Sequence, residues 1–203
     1  MKEIIIISKL LIKLIFLLAL AAAVYVLAAS SSIISKRSQT APIEQSSGAV
    51  GVNQENFMKI FSPSFEDGAA IPAQYTCDGD DSSPALKISD VPPEAKSLAL
   101  LMDDPDSPSG NFAHWVMWNI RPDEKEIKEN GKPENIVEGI NSFGNTGYRG
   151  PCPRSGEHRY FFRLYALDMM LDLSSGAGAL ELKQAMQGHV LTEAEAMGRY
   201  IRR

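Results

Sequence analysis

Short apolar runs broken by Pro and Gly limit most tightly what this chain can fold into. Met58 to Phe61, Ser97 to Met102, Phe112 to Ile120 and Arg159 to Leu167 are such runs, and each reads as a strand. In H-W-V-M-W-N-I, alternate positions put His114, Val116, Trp118 and Ile120 on one face and Trp115, Met117 and Asn119 on the other. In H-R-Y-F-F-R-L-Y-A-L-D the same rule sets His158, Tyr160, Phe162, Leu164 and Ala166 against Arg159, Phe161, Arg163 and Tyr165. One face is expected to be core and the other partly wet. Gly178 to Gly188 reads as a helix, with Leu180, Leu182, Ala185 and Met186 near helical spacing and Gly188 as its stop. A second helical turn is expected at Thr192 to Met197. Many strands with one or two short helices in the C-terminal half predict a mainly β protein, an antiparallel β-sandwich.

The first thirty-five residues are of a different kind. Lys2, Lys9 and Lys13 lead into an uncharged stretch from Leu14 to Ser35, closed by Lys36-Arg37. Its most apolar part, Leu14 to Ala29, is apolar on every side, unlike a core helix with one polar stripe. That part suits a signal-peptide core, and adding Ser30 to Ile34 makes it long enough to span a membrane. Residues 1–30 are therefore expected to be a signal peptide or a signal anchor, and either would export the rest to the periplasmic or extracellular side. Small residues at Ala28, Ala29 and Ser30 offer a cleavage site, and no Cys follows for a lipid anchor. Residues 31–56, rich in Ser, Gln, Ala and Gly, are expected to be a flexible linker. Residues 57–203 form the folded domain. Residues 1–30 hold three of the 20 bases and one of the 25 acids, so the remainder has 17 bases, 24 acids and a formal charge of −7. An acidic domain with no basic run argues against nucleic acid as a partner.

Two segments carry a recognisable pattern. D-D-P-D-S-P-S-G-N-F-A-H-W runs from Asp103 to Trp115, and Y-R-G-P-C-P-R-S-G-E-H-R-Y-F-F-R-L-Y-A-L-D from Tyr148 to Asp168. With I-P-A-Q-Y-T-C-D-G at residues 71–79 and G-R-Y at 198–200, their order and spacing resemble the phosphatidylethanolamine-binding protein family in its bacterial and archaeal Raf-kinase-inhibitor-like branch. The resemblance implies a binding module rather than an enzyme, needing neither metal nor cofactor. Its site would comprise Asp104, Asp106, His114, Gly150, His158 and Tyr160, and would take a phospho-head-group or other anionic small molecule. An inhibitor or scaffold acting on a protein such as a protease or kinase is the alternative, and a weak hydrolase using Asp and His is a third. The chain ends at Arg203 soon after G-R-Y, so the extra C-terminal helix of eukaryotic relatives is expected to be missing.

Residue chemistry supports an anion site independently. His114 and His158 lie in the two segments beside acidic residues, and an imidazole can donate to a phosphate oxygen. Ionised Asp104 and Asp106 cannot do so, and would orient the histidines or receive an ammonium or hydroxyl of the ligand. Pro105 and Pro108 stiffen the loop between them. Gly150 lets backbone approach a ligand, and Tyr160 shares a strand face with His158. No H-x-x-x-H pair, G-x-S-x-G elbow or G-K-[ST] phosphate loop is present. Cys77 and Cys152, the only cysteines, are expected to pair as a disulfide in an exported domain, two free thiols being the alternative.

Overall fold

The computed structural model describes residues 57–202. The expected export segment and linker, residues 1–56, lie outside the described residues. Among the described residues no helix is long and apolar enough to cross a membrane.

Among the described residues, eight strands build two antiparallel sheets. β1 (Lys59–Phe61), β2 (Leu86–Ser89) and β5 (Glu126–Ile127) form a small sheet in the order β1-β2-β5. β3 (Ser97–Asp104), β4 (Phe112–Ile120), β6 (Val137–Glu138), β7 (Glu157–Leu167) and β8 (Val190–Ile201) form the larger one in the order β6-β4-β3-β7-β8. β3 is buried along its whole length because both faces of the large sheet are covered. Leu98, Leu100 and Met102 join Phe162 and Leu164 of β7 and Ile60, Leu86 and Ile88 of the small sheet in the core between sheets. Ala99 and Leu101 face a second core with Val116, Trp118 and Leu182. Leu182 comes from α1 (Ala179–Ala185), where the sequence places a helix. Glu181 accepts the Gly178 N–H at 3.1 Å at its start, and Gly188 with φ +79° follows its end.

The alternation in β7 holds: Tyr160, Phe162, Leu164 and Ala166 are buried, while Arg159, Phe161, Arg163 and Tyr165 are less so. The alternation in β4 does not, because two bulges interrupt it. Asn119 takes a left-handed φ of +60°, and its side chain exchanges hydrogen bonds with the Leu171 backbone. Ile120 is thereby moved from the face of Trp118 to the core between sheets. The second bulge lies between the pairs Met102–Trp115 and Asp103–Ala113, leaving His114 without a partner on β3.

The helical turn expected at Thr192 to Met197 is instead the middle of β8. Thr-Glu-Ala-Glu-Ala-Met contains helix formers, but its alternation matches pairing with β7 from Glu157–Ile201 to Leu167–Val190. Eleven antiparallel partners outweigh a local preference of a few tenths of a kcal/mol per residue. β2, β5 and β6 are further strands the sequence pattern leaves unmarked, since they are only two to four residues long.

Candidate functional site

β3 ends where β4 and β7 begin, so antiparallel order gathers Asp104, His114, His158 and Tyr160 at one end of the large sheet. A pocket of about 400 Å³ opens there, and these four side chains line it. The loop after β3 adds Ser107 and Ser109, and the loop before β7 adds Arg154 and Ser155. Phe112 and Phe143 form an aromatic side of the pocket, with their rings 4.8 Å apart and nearly perpendicular.

Asp104 is buried and uses both oxygens within the protein. Oδ1 accepts the Asp106 N–H at 2.9 Å, and Oδ2 accepts His158 Nδ1–H at 2.7 Å. Its charge therefore orients an imidazole rather than facing an occupant alone. Asp106 is not among the lining residues. Arg159 holds it by two side-chain bonds, Nε to Oδ2 at 2.8 Å and Nη2 to Oδ1 at 2.7 Å, and by its backbone N–H at 2.9 Å. These bonds to Arg159 draw the Asp106 carboxyl down to about 2. Asp106 thus straps the D-P-D-S-P loop onto β7.

Gly150 is also not a lining residue. Its N–H donates to Asp81 at 2.6 Å, and a Cβ there would lie 2.4 Å from the Tyr75 carbonyl oxygen. The backbone close to Gly150 is the 73–81 loop. Three more ties join the same two segments: Tyr148 Oη donates to Tyr75 O at 2.6 Å, Cys77 N–H to Pro151 O at 3.2 Å, and Cys77 forms a disulfide with Cys152. Cys152 itself borders the pocket.

His114 is doubly tied to Arg149, since its carbonyl accepts the Arg149 N–H at 3.0 Å and its Nδ1 lies 2.7 Å from the Arg149 carbonyl. A carbonyl only accepts, so Nδ1 bears the proton. Burial lowers the pKa of this imidazole against the opposing pull of that carbonyl and of Asp104. Tyr160 is buried at the pocket, and its hydroxyl makes no well-formed hydrogen bond, although the Asp104 carboxylate and the Cys152 backbone lie close enough to act on it. Burial first, and then the Asp104 charge, push its phenol upward, so it remains an O–H donor. Among the described residues, no group of three or more His, Cys, Asp or Glu is placed to hold a metal ion.

Sequence reasoning missed Phe112, Phe143, Arg154 and Ser155. Three of them stand inside the two signature segments and were within reach. Phe143 has a fainter signal, a lone aromatic in the turn-rich run N-S-F-G-N-T-G. Its loop is organised by buried Asn141, whose Oδ1 accepts the N–H of Phe143 and Asn145 and whose Nδ2 donates to Gly147 O.

The family model described as phosphatidylethanolamine-binding protein matches residues 61–201. The UPF0098 protein of Methanothermobacter thermautotrophicus is 53% identical over 150 residues, covering 71% of this chain and 99% of the relative. The crystal structure of a phosphatidylethanolamine-binding protein homologue from Chlamydia trachomatis superposes with a TM-score of 0.70 at 40% identity, over 73% of this chain and 99% of that one. YbcL of Escherichia coli, described as a member of the mammalian family, gives a TM-score of 0.68 at 25% identity, over 72% and 99%.

Proposed function

The chain belongs to the phosphatidylethanolamine-binding protein family, and from that premise we propose that it holds a phosphate-containing or other anionic small molecule in this pocket, as a binding protein and not as an enzyme. The observation that carries the reading is the Tyr160 hydroxyl, buried at the pocket without a well-formed hydrogen bond to the protein. A buried polar group without a partner costs about 1–3 kcal/mol, and a ligand oxygen would recover it. Among the described residues Arg154 is the one Lys or Arg lining the pocket, and Ser155 beside it supplies a second hydroxyl donor. Asp104 does not oppose an anion at full strength, because both its oxygens accept bonds from within the protein.

Calorimetric titration of the full chain with phosphoethanolamine tests this reading. His158→Ala, which removes the imidazole that Asp104 orients, is expected to weaken binding about tenfold, and Lys96→Ala serves as an exposed control. Saturating phosphoethanolamine without any heat of binding in the unmodified protein would defeat it.

The N-terminal pattern supports a second part of the proposal, that the domain works outside the cytoplasm, either released or anchored. A fused reporter active only outside the cytoplasm is expected to need residues 2–30. Unchanged reporter activity after their deletion would count against export.

A further inference from the structure

His114 differs from an ordinary pocket histidine in having no freedom to choose which nitrogen it presents. It is the unpaired residue of the β3–β4 bulge, held through its own carbonyl and through Nδ1 by the backbone of Arg149. Three rings pack on it edge to face: Tyr160 at 5.2 Å, Phe112 at 5.4 Å and Phe143 at 5.4 Å. Turning the ring over would set a carbon against the Arg149 carbonyl and leave that acceptor unpaired. The single proton of the neutral imidazole is thus committed to Arg149. Burial, which lowers the imidazole pKa, disfavours a second proton. What remains for an occupant is Nε2 with a lone pair.

We infer that His114 Nε2 acts as a hydrogen-bond acceptor in the pocket, and that below about pH 6 the pocket prefers phosphate monoesters, whose singly ionised form retains a P–O–H, to phosphodiesters, which have none. The inference rests on the anion reading and narrows it. Tyr160 and Arg154 offer donors to the charged oxygens, while His114 requires a donor from the same ligand. A singly protonated phosphate supplies both. A diester turns an oxygen lone pair against the nitrogen lone pair and leaves a buried acceptor unsatisfied. Phospholipid head groups other than that of phosphatidic acid are diesters at phosphorus. Where the monoester is singly ionised, below about pH 6, the pocket is accordingly matched to a free phosphorylated small molecule better than to a lipid diester.

Methyl phosphate and dimethyl phosphate, titrated into the full chain at about pH 5, isolate the effect. The second ionisation of a monoester lies near pH 6, so both ligands then carry about one negative charge and differ chiefly in the P–O–H. Methyl phosphate is expected to bind about tenfold more tightly or better. In His114→Phe, which keeps a packed ring but loses the acceptor, the preference is expected to fall below about threefold, methyl phosphate binding more weakly and dimethyl phosphate, freed of the opposing lone pair, more tightly than before. Should that variant not fold, the ratio in the unmodified protein decides alone. Equal binding of the two ligands, or a preference that survives His114→Phe, would overturn the inference and leave the anion site standing. Glycerophosphoethanolamine, a diester with an ammonium donor, separates the two sources of a hydrogen: affinity equal to that of methyl phosphate would also overturn it. Failure of every phosphate ligand to bind would overturn the anion reading and this inference with it.

Discussion

Tyr160→Phe should move stability and affinity in opposite directions. The phenol ring is fully buried among the residues of the core between sheets, so phenylalanine fills the same volume there. Only the oxygen is lost, and that oxygen makes no well-formed hydrogen bond within the protein. Burying a hydroxyl without a partner costs about 1–3 kcal/mol, offset in part by whatever weak polar contacts it retains. Removing it is therefore expected to leave the unliganded protein as stable as before or up to about 1 kcal/mol more stable. For a domain of this size that is a Tm rise of roughly 0–4 °C. With ligand the sign reverses, because the lost donor is worth about 0.5–1.5 kcal/mol and affinity should drop about three- to tenfold. Thermal unfolding of the full chain with and without saturating phosphoethanolamine, read beside calorimetric affinities, measures both effects on one variant. A Tm lowered by more than about 2 °C together with unchanged affinity would show the hydroxyl to be a structural group, and the reasoning from its unpaired state would be refuted.

Three further outcomes follow from ties around the pocket. The Cys77–Cys152 disulfide closes a loop of sequence separation 75, so its removal in a double Cys→Ala variant should lower stability by about 2–4 kcal/mol in denaturant melts; coincident melts would contradict this. Gly150→Ala places a Cβ 2.4 Å from the Tyr75 carbonyl oxygen and 2.7 Å from Thr76 Cα, and a loss of about 1–3 kcal/mol is expected. A urea midpoint equal to that of the parent protein would mean the 73–81 loop moves aside freely. Arg159 holds the Asp106 carboxyl at about 2 against an ordinary 3.8, so the folded state takes up that proton less readily than the unfolded chain. Its contribution is complete above about pH 4 and is lost as pH falls toward 2, and it is modest because the pair is partly exposed. Asp106→Asn should then flatten the decline of Tm between pH 5 and 2, and superimposable acid profiles would exclude the linkage.

Local order in the sequence determined the β class, the strands β3, β4 and β7, the helix α1 and the inward face of β7. Alternation and turn chemistry act between near neighbours, so they are written in the order of residues. The signature segments likewise named Asp104, His114, His158 and Tyr160, which the fold brings to one pocket. What the sequence could not decide depends on partners far along the chain. β8 carries helix-forming residues and becomes a strand only because β7 lies beside it along eleven pairs. Asp106 and Gly150 stand in the same motifs as the pocket residues, yet one is bound by Arg159 and the other packed against Tyr75 and Thr76. The hydrogen-bonding role of His114 is the clearest case. Strict alternation would send it to the face of Val116, whereas a one-residue bulge turns it toward Tyr160 and the Arg149 carbonyl fixes its proton. A bulge is a mismatch between two strands, and a proton's position depends on the acceptor across the gap. Neither is a property of any stretch of sequence read alone, so only the tertiary structure could decide them.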